Sequence, residues 1–113
     1  MKVTREVHIF QCPVSIGYCF MPLSMVESLV DLTDYVRVWH GLIELEIPEG
    51  ANEETIRQAV CEKCFDRFQD GRDKTFFGRS LTTSDIVCIA NEKVIRYYYC
   101  DTIGWKLIKT QNV

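Results

Sequence analysis

Cys61 and Cys64 stand three residues apart, a spacing that ligates zinc or runs dithiol chemistry when a second pair or an exposed helix start accompanies it. Neither accompaniment is legible. Cys12 and Cys19 are seven residues apart, Cys88 and Cys100 fall on different predicted strands, and His8 and His40 show no ligand spacing. The pair also falls inside a predicted helix, away from the loop-to-helix junction that favours a thiolate. We therefore expect no metal and no cofactor, with the six cysteines packing as small hydrophobic side chains. Asp85 and Asp101 flank one predicted hairpin, and with Arg79 they form the constellation that would serve a hydrolytic enzyme or a small-ligand site. Ser80 and Ser84 lack the glycine-flanked elbow of a nucleophilic serine, and no phosphate-loop or dinucleotide-binding glycine pattern occurs. No residue is assigned a catalytic role on this basis.

The segment GRSLTTSDIVCI, residues 78 to 89, sets an arginine, four hydroxyl side chains and an aspartate before an apolar run. In one reading Ser80, Thr82, Thr83 and Ser84 bond to nearby backbone in a tight turn and Asp85 anchors the start of a strand. In the other, Arg79, Ser80 and Asp85 join Asp101 and Trp105 at a rim where arginine and aromatic side chains anchor a protein partner. Tyr97, Tyr98 and Tyr99 pose a related choice, because strand alternation sends Tyr98 to the face opposite its neighbours. Tyr98 is either covered by a loop or helix or belongs, beside Arg96, to a binding patch. A third surface is the run ELEIPEGANEE, in which Glu44, Glu46 and Glu49 precede two further glutamates, with no lysine or arginine between Arg37 and Arg57. It reads as a solvated face with a favourable helix start, or as a docking surface for a basic partner.

These surfaces sit on a chain of single-domain size, so residues 1–113 are taken as one domain. With 47% apolar and 26% charged residues, the composition is that of an ordinary globular protein. No apolar run approaches the roughly 20 residues of a membrane-spanning helix, and MKVTREVHIF carries charges where a signal peptide needs an apolar stretch, so the expected location is cytoplasmic. A formal net charge of −3 argues against general affinity for nucleic acid. The expected partner is a protein.

Residues 3 to 12 alternate as a strand, with Val7 and Ile9 on one side, and Arg5 marks it as a candidate edge strand. Ser24 and Glu27 fit a capping box opening a short helix with Val26, Leu29 and Val30 as its apolar stripe, ended by Thr33 and Asp34. From Tyr35 to Ile47 the apolar parity switches, and Gly41 is the expected site of a bulge or turn. Residues 52 to 68 are the clearest helix: Asn52 caps it, and Ile56, Val60, Cys64 and Phe68 form its buried stripe. After a polar connector, strands at Ile86 to Ala90, Val94 to Cys100 and Trp105 to Lys109 form a meander. The resulting expectation is an α+β domain: an antiparallel or mixed sheet with one long and one short helix packed on it.

The blocks FFGRSLTTSDIVCI and YYYCDTIGWKLI, with FMPLSMVESL and YVRVWHGLIEL upstream, resemble the YodL-like domain family of small bacterial, phage and mobile-element proteins. Trp105, where the family commonly has another aromatic, and the additional cysteines depart from that pattern. The resemblance implies no established activity, cofactor or catalytic residue. It implies a setting, that of an accessory protein which binds a host or element protein, with modulation of a host defence protein as one mode.

Overall fold

The computed structural model describes residues 1–112. Five strands form one antiparallel sheet: β1 (Lys2–Gln11), β2 (Val36–Glu46), β3 (Ile86–Asn91), β4 (Val94–Cys100) and β5 (Trp105–Asn112), ordered β2-β1-β3-β4-β5. A four-residue helix α1 (Leu23–Val26) and a 3₁₀ turn (Leu32–Asp34) lie between β1 and β2, and the long helix α2 (Glu53–Phe68) lies between β2 and β3. The expected α+β architecture with a C-terminal meander is the one observed.

The sheet buries both faces. On one, α2 packs Ile56, Val60, Cys61, Cys64 and Phe68 against Val7, Ile9, Trp39, Ile43, Val87, Ile89, Tyr98 and Trp105. The other face is covered toward one end by the β1–β2 connection, whose Cys12, Tyr18, Leu23, Val26 and Tyr35 pack on Ile86 and Tyr99. Covered on both sides, β3 is apolar in succession through Ile86, Val87, Cys88 and Ile89, as a central strand should be. The tyrosine run resolves by the same alternation: Tyr98 lies wholly buried under α2, Tyr99 wholly buried on the opposite face, and Tyr97 half-buried.

Helix α2 begins where the sequence places it. The Asn52 side chain accepts from the Thr55 N–H at 2.8 Å, and Glu53 and Glu54 occupy the positive first turn. Both glutamates also tie the helix to the sheet. Glu53 accepts from Arg5 at 2.9 and 3.0 Å and from Asn91 Nδ2 at 2.9 Å. Glu54 accepts from the Tyr98 hydroxyl at 2.8 Å, while that hydroxyl accepts from Arg57 Nε at 2.8 Å.

Four local expectations are corrected. Strand β1 is not an edge; it pairs with β2 and β3, and Arg5 is tolerated inside the sheet because Glu53 lies over it. Helix α1 is capped by Pro22 with no side-chain bond, so the Ser24–Glu27 box does not form, and Leu29 is exposed. The parity switch of β2 falls at Val38, where Ile9 faces Trp39 but Phe10 faces Arg37. Strand β5 runs three residues beyond Lys109, to Asn112.

Gly41 instead makes room for an indole. A Cβ there would lie 2.8 Å from the Trp39 ring, two residues away on the same face. Replacing Gly41 by Ala is expected to lower the unfolding free energy by about 1–3 kcal/mol through that overlap. Urea denaturation should record a lower midpoint at unchanged slope; an unchanged midpoint would mean the indole moves aside at no cost.

Candidate functional site

The polar residues singled out by sequence converge at the start of β3, around a carboxylate that never meets solvent. Asp85 is 0% exposed. Its Oδ2 accepts from Gln11 Nε2 and from the Thr82 N–H, both at 2.9 Å, and its Oδ1 accepts from Arg79 Nη2 at 3.0 Å. Gln11 grips the same loop twice more, accepting the Arg79 N–H at 3.1 Å and donating to the Arg79 carbonyl at 2.9 Å. This approach requires Gly78, since a Cβ there would collide with Gln11 Oε1. The Arg79 guanidinium then lies 5.0 Å over the Phe20 ring.

Ser84 is equally enclosed. It adopts φ 83°, a left-handed conformation rare for a serine, and its backbone and hydroxyl groups are bonded. Its N–H donates to Cys100 O at 2.9 Å, its carbonyl accepts from the Tyr35 hydroxyl at 2.7 Å, and its Oγ accepts from the Phe20 N–H at 3.0 Å. Phe20, at φ 67°, is a second non-glycine residue in that region. Of the structural reading of GRSLTTSDIVCI, the geometry has the Asp85 anchor at the entry to β3, whereas the Ser84 hydroxyl bonds to the distant Phe20 N–H and the Ser80, Thr82 and Thr83 hydroxyls make no hydrogen bond among the described residues.

The residues expected to form one rim are separated. Trp105 is buried beneath α2, whereas Arg79 stacks on the β1–β2 connection and Ser80 is exposed on the loop between. Asp101 does not meet Asp85; its Oδ1 accepts from the Leu23 N–H at 3.2 Å and the Thr102 N–H at 2.9 Å, fixing α1 to the β4–β5 turn. Tyr98 and Trp105 are thus core residues, and Asp85 is a buried anchor, because each gains a long-range partner that sequence spacing does not reveal. Cys61 and Cys64 are likewise wholly buried in the α2 core. Glu44, Glu46 and Glu49 are exposed, but Lys2 Nζ lies 3.6 Å from Glu44, and the Met1 ammonium lies 3.5 and 3.8 Å from Glu46 and Glu49. The acidic face is therefore partly neutralised.

Sequence reasoning missed the most exposed large aromatic side chain. Phe77 is 88% exposed, yet the chain leading into it is fixed: Phe76 stacks on Phe68 with ring centres 4.6 Å apart, and the Phe77 N–H donates to Val38 O at 3.2 Å. A groove of about 310 Å³ beside it is lined by Arg37, Val38, Trp39, His40 and Thr75. The only available signal was the pair Phe76-Phe77 itself, of which an irregular segment can bury one member and present the other. A larger open groove, about 580 Å³, runs between the α1 region and β5, with Leu29 and Lys109 on its walls. Among the described residues, no three His, Cys, Asp or Glu side chains are placed to hold a metal ion, and no helix is long and apolar enough to cross a membrane.

Burial raises the Asp85 carboxyl from 3.8 to about 6, against the opposing pull of the Thr82 N–H, the Arg79 charge and the Gln11 amide. The folded chain consequently holds this proton more tightly than the unfolded chain. The associated stability is complete below pH 3.8 and is lost as pH rises through about 6. Relative to Asp85→Asn, the native sequence should lose about 2–3 kcal/mol of stability between pH 4 and pH 7. Urea titrations of both proteins across that range check this, and parallel pH profiles would remove Asp85 as the titrating group.

A family model described as YodL-like domain matches residues 6–110. Comparison with curated proteins and with solved structures finds no match. Since the matched span takes in α2, β2 to β4 and most of β1 and β5, including the whole Asp85 cage, the protein belongs to the YodL-like domain family.

Proposed function

We propose that this chain is a non-enzymatic protein-binding module, an accessory protein of a phage or mobile element that docks on a host protein and modulates it. The observation that carries this reading is Phe77: an aromatic side chain 88% exposed, its backbone N–H bonded to Val38 and its neighbour Phe76 stacked on Phe68. An exposed aromatic on an anchored backbone has only its two side-chain torsions to fix on binding and gains the burial of its ring. Arg37 and His40 stand beside it along the same groove, supplying a cation and a ring donor of the kind found at interface centres.

The competing reading, a hydrolase or small-ligand receptor built on Asp85, Asp101 and Arg79, finds less support. The Asp85 oxygens are taken up by three donors, Asp101 serves another loop, and neither faces the other. A base that has spent its lone pairs on internal donors is poorly placed to receive a proton from substrate.

The test places a photo-crosslinking phenylalanine analogue at position 77 and, as controls, at the exposed Met25 and Ile103. A host protein should be trapped from position 77 and not from the controls. Phe77→Ala should then weaken the purified complex about 10-fold or more while leaving folding stability within about 0.5 kcal/mol. Equal affinity of the two chains would remove this surface.

A further inference from the structure

The connection from β1 to α1 turns back on itself through three backbone bonds: Ile16 N–H to Pro13 O at 3.0 Å, Cys19 N–H to Ile16 O at 3.2 Å and Met21 N–H to Tyr18 O at 3.1 Å. Those turns return Cys19 to Cys12. The Cys19 and Cys12 sulfurs lie 3.9 and 3.8 Å from the same Ser84 Oγ, which places the two thiols side by side around one hydroxyl. Of the six cysteines, only Cys19 is not buried. Arg79 Nη2 stands 3.5 Å from its sulfur, a cation beside the atom that is charged when thiol–disulfide exchange begins. The guanidinium is not saturated by Asp85, because the buried Arg79 Nε has no hydrogen-bond partner. The backbone is strained on both sides of the pair, at Phe20 and Ser84, as it is where proteins hold reactive geometry.

We propose that Cys19 is a thiol–disulfide exchange site for small oxidised disulfides of the glutathione type, and that Cys12 resolves the adduct into a Cys12–Cys19 disulfide. In the first step the Cys19 thiolate attacks one sulfur of the small disulfide. A mixed disulfide forms, and the other half leaves as a thiolate that takes up the proton Cys19 released. In the second step the Cys12 sulfur attacks the Cys19 sulfur, the mixed bond breaks, and the Cys12 proton passes to the departing thiolate. One small disulfide is reduced to two thiols while two protein thiols are oxidised to one disulfide. Burial pushes the Cys12 thiol up from its ordinary range, so Cys12 stays protonated and leaves the first attack to Cys19; it must give up its proton before the slower, intramolecular second step. Cys61, Cys64, Cys88 and Cys100 are closed off by packing.

The full chain, treated with oxidised glutathione under native conditions, alkylated, digested and mapped by mass spectrometry, provides the test. The expected product is a peptide cross-linked between Cys12 and Cys19, with the other four cysteines alkylated only after unfolding. Cys12→Ala should stop at a glutathione adduct on Cys19. Because that substitution touches the core, a brief pulse of iodoacetamide on the unsubstituted native chain gives an independent reading. It should label Cys19 at least about 10-fold faster than any other cysteine. Six free thiols after oxidation, a first adduct on another cysteine, or Cys19 labelling no faster than the rest would each overturn the proposal.

Discussion

A single buried carboxylate holds the two halves of this domain together. Asp85 immediately precedes β3, yet its partners lie at the end of β1 and in the loop that follows α2, 74 residues away in the case of Gln11. The Cys100 N–H donates to the Asp85 carbonyl at 2.8 Å, so the same residue also sets the start of the β3–β4 pairing. An ion taken out of water is costly unless every lone pair finds a donor, and removing one partner of such a group commonly costs several kcal/mol. The loop from residue 69 to 85 has neither helix nor strand of its own, and this cage fixes its last part, from Arg79 to Asp85.

A second polar cluster does for α2 what Asp85 does for the loop. Arg5 and Glu53 close across the first turn of the helix, and Arg57, Glu54 and Tyr98 close one turn later. The apolar contacts along Ile56, Val60, Cys64 and Phe68 supply most of the burial, but they are non-directional. The ion pairs fix where along the sheet that stripe must sit, because a slide by one turn would leave Arg57 buried without its hydroxyl partner.

The residues richest in chemical potential are thus the ones most committed to structure. Asp85, Ser84, Arg57 and Tyr98 are bonded inward, and the outside is left to charged side chains, one half-buried thiol and scattered apolar side chains, of which Phe77 is the most exposed. That division explains why Phe77 stands out: with Phe76 committed to the core and the Phe77 N–H bonded to β2, the Phe77 ring is left with no internal contact to make.

The amino-acid sequence alone determined the elements whose information is local. Asn52 and the two glutamates after it start α2, four-residue spacing marks its buried stripe, and β-branched and aromatic runs separated by Asn91-Glu92 and Asp101 to Gly104 define the meander. The blocks from FMPLSMVESL to YYYCDTIGWKLI resemble the YodL-like pattern and lie within residues 6–110, the span of the family match. Tertiary structure decided everything that depends on a distant partner. Arg5 marks an edge until Glu53 is placed over it, and Tyr98 and Trp105 look available until α2 covers them. Asp85 resembles a catalytic acid until Gln11, Thr82 and Arg79 surround it. Periodicity reports which face a side chain takes, whereas its burial and bonding depend on which other segment packs there, and that choice is made by long-range packing.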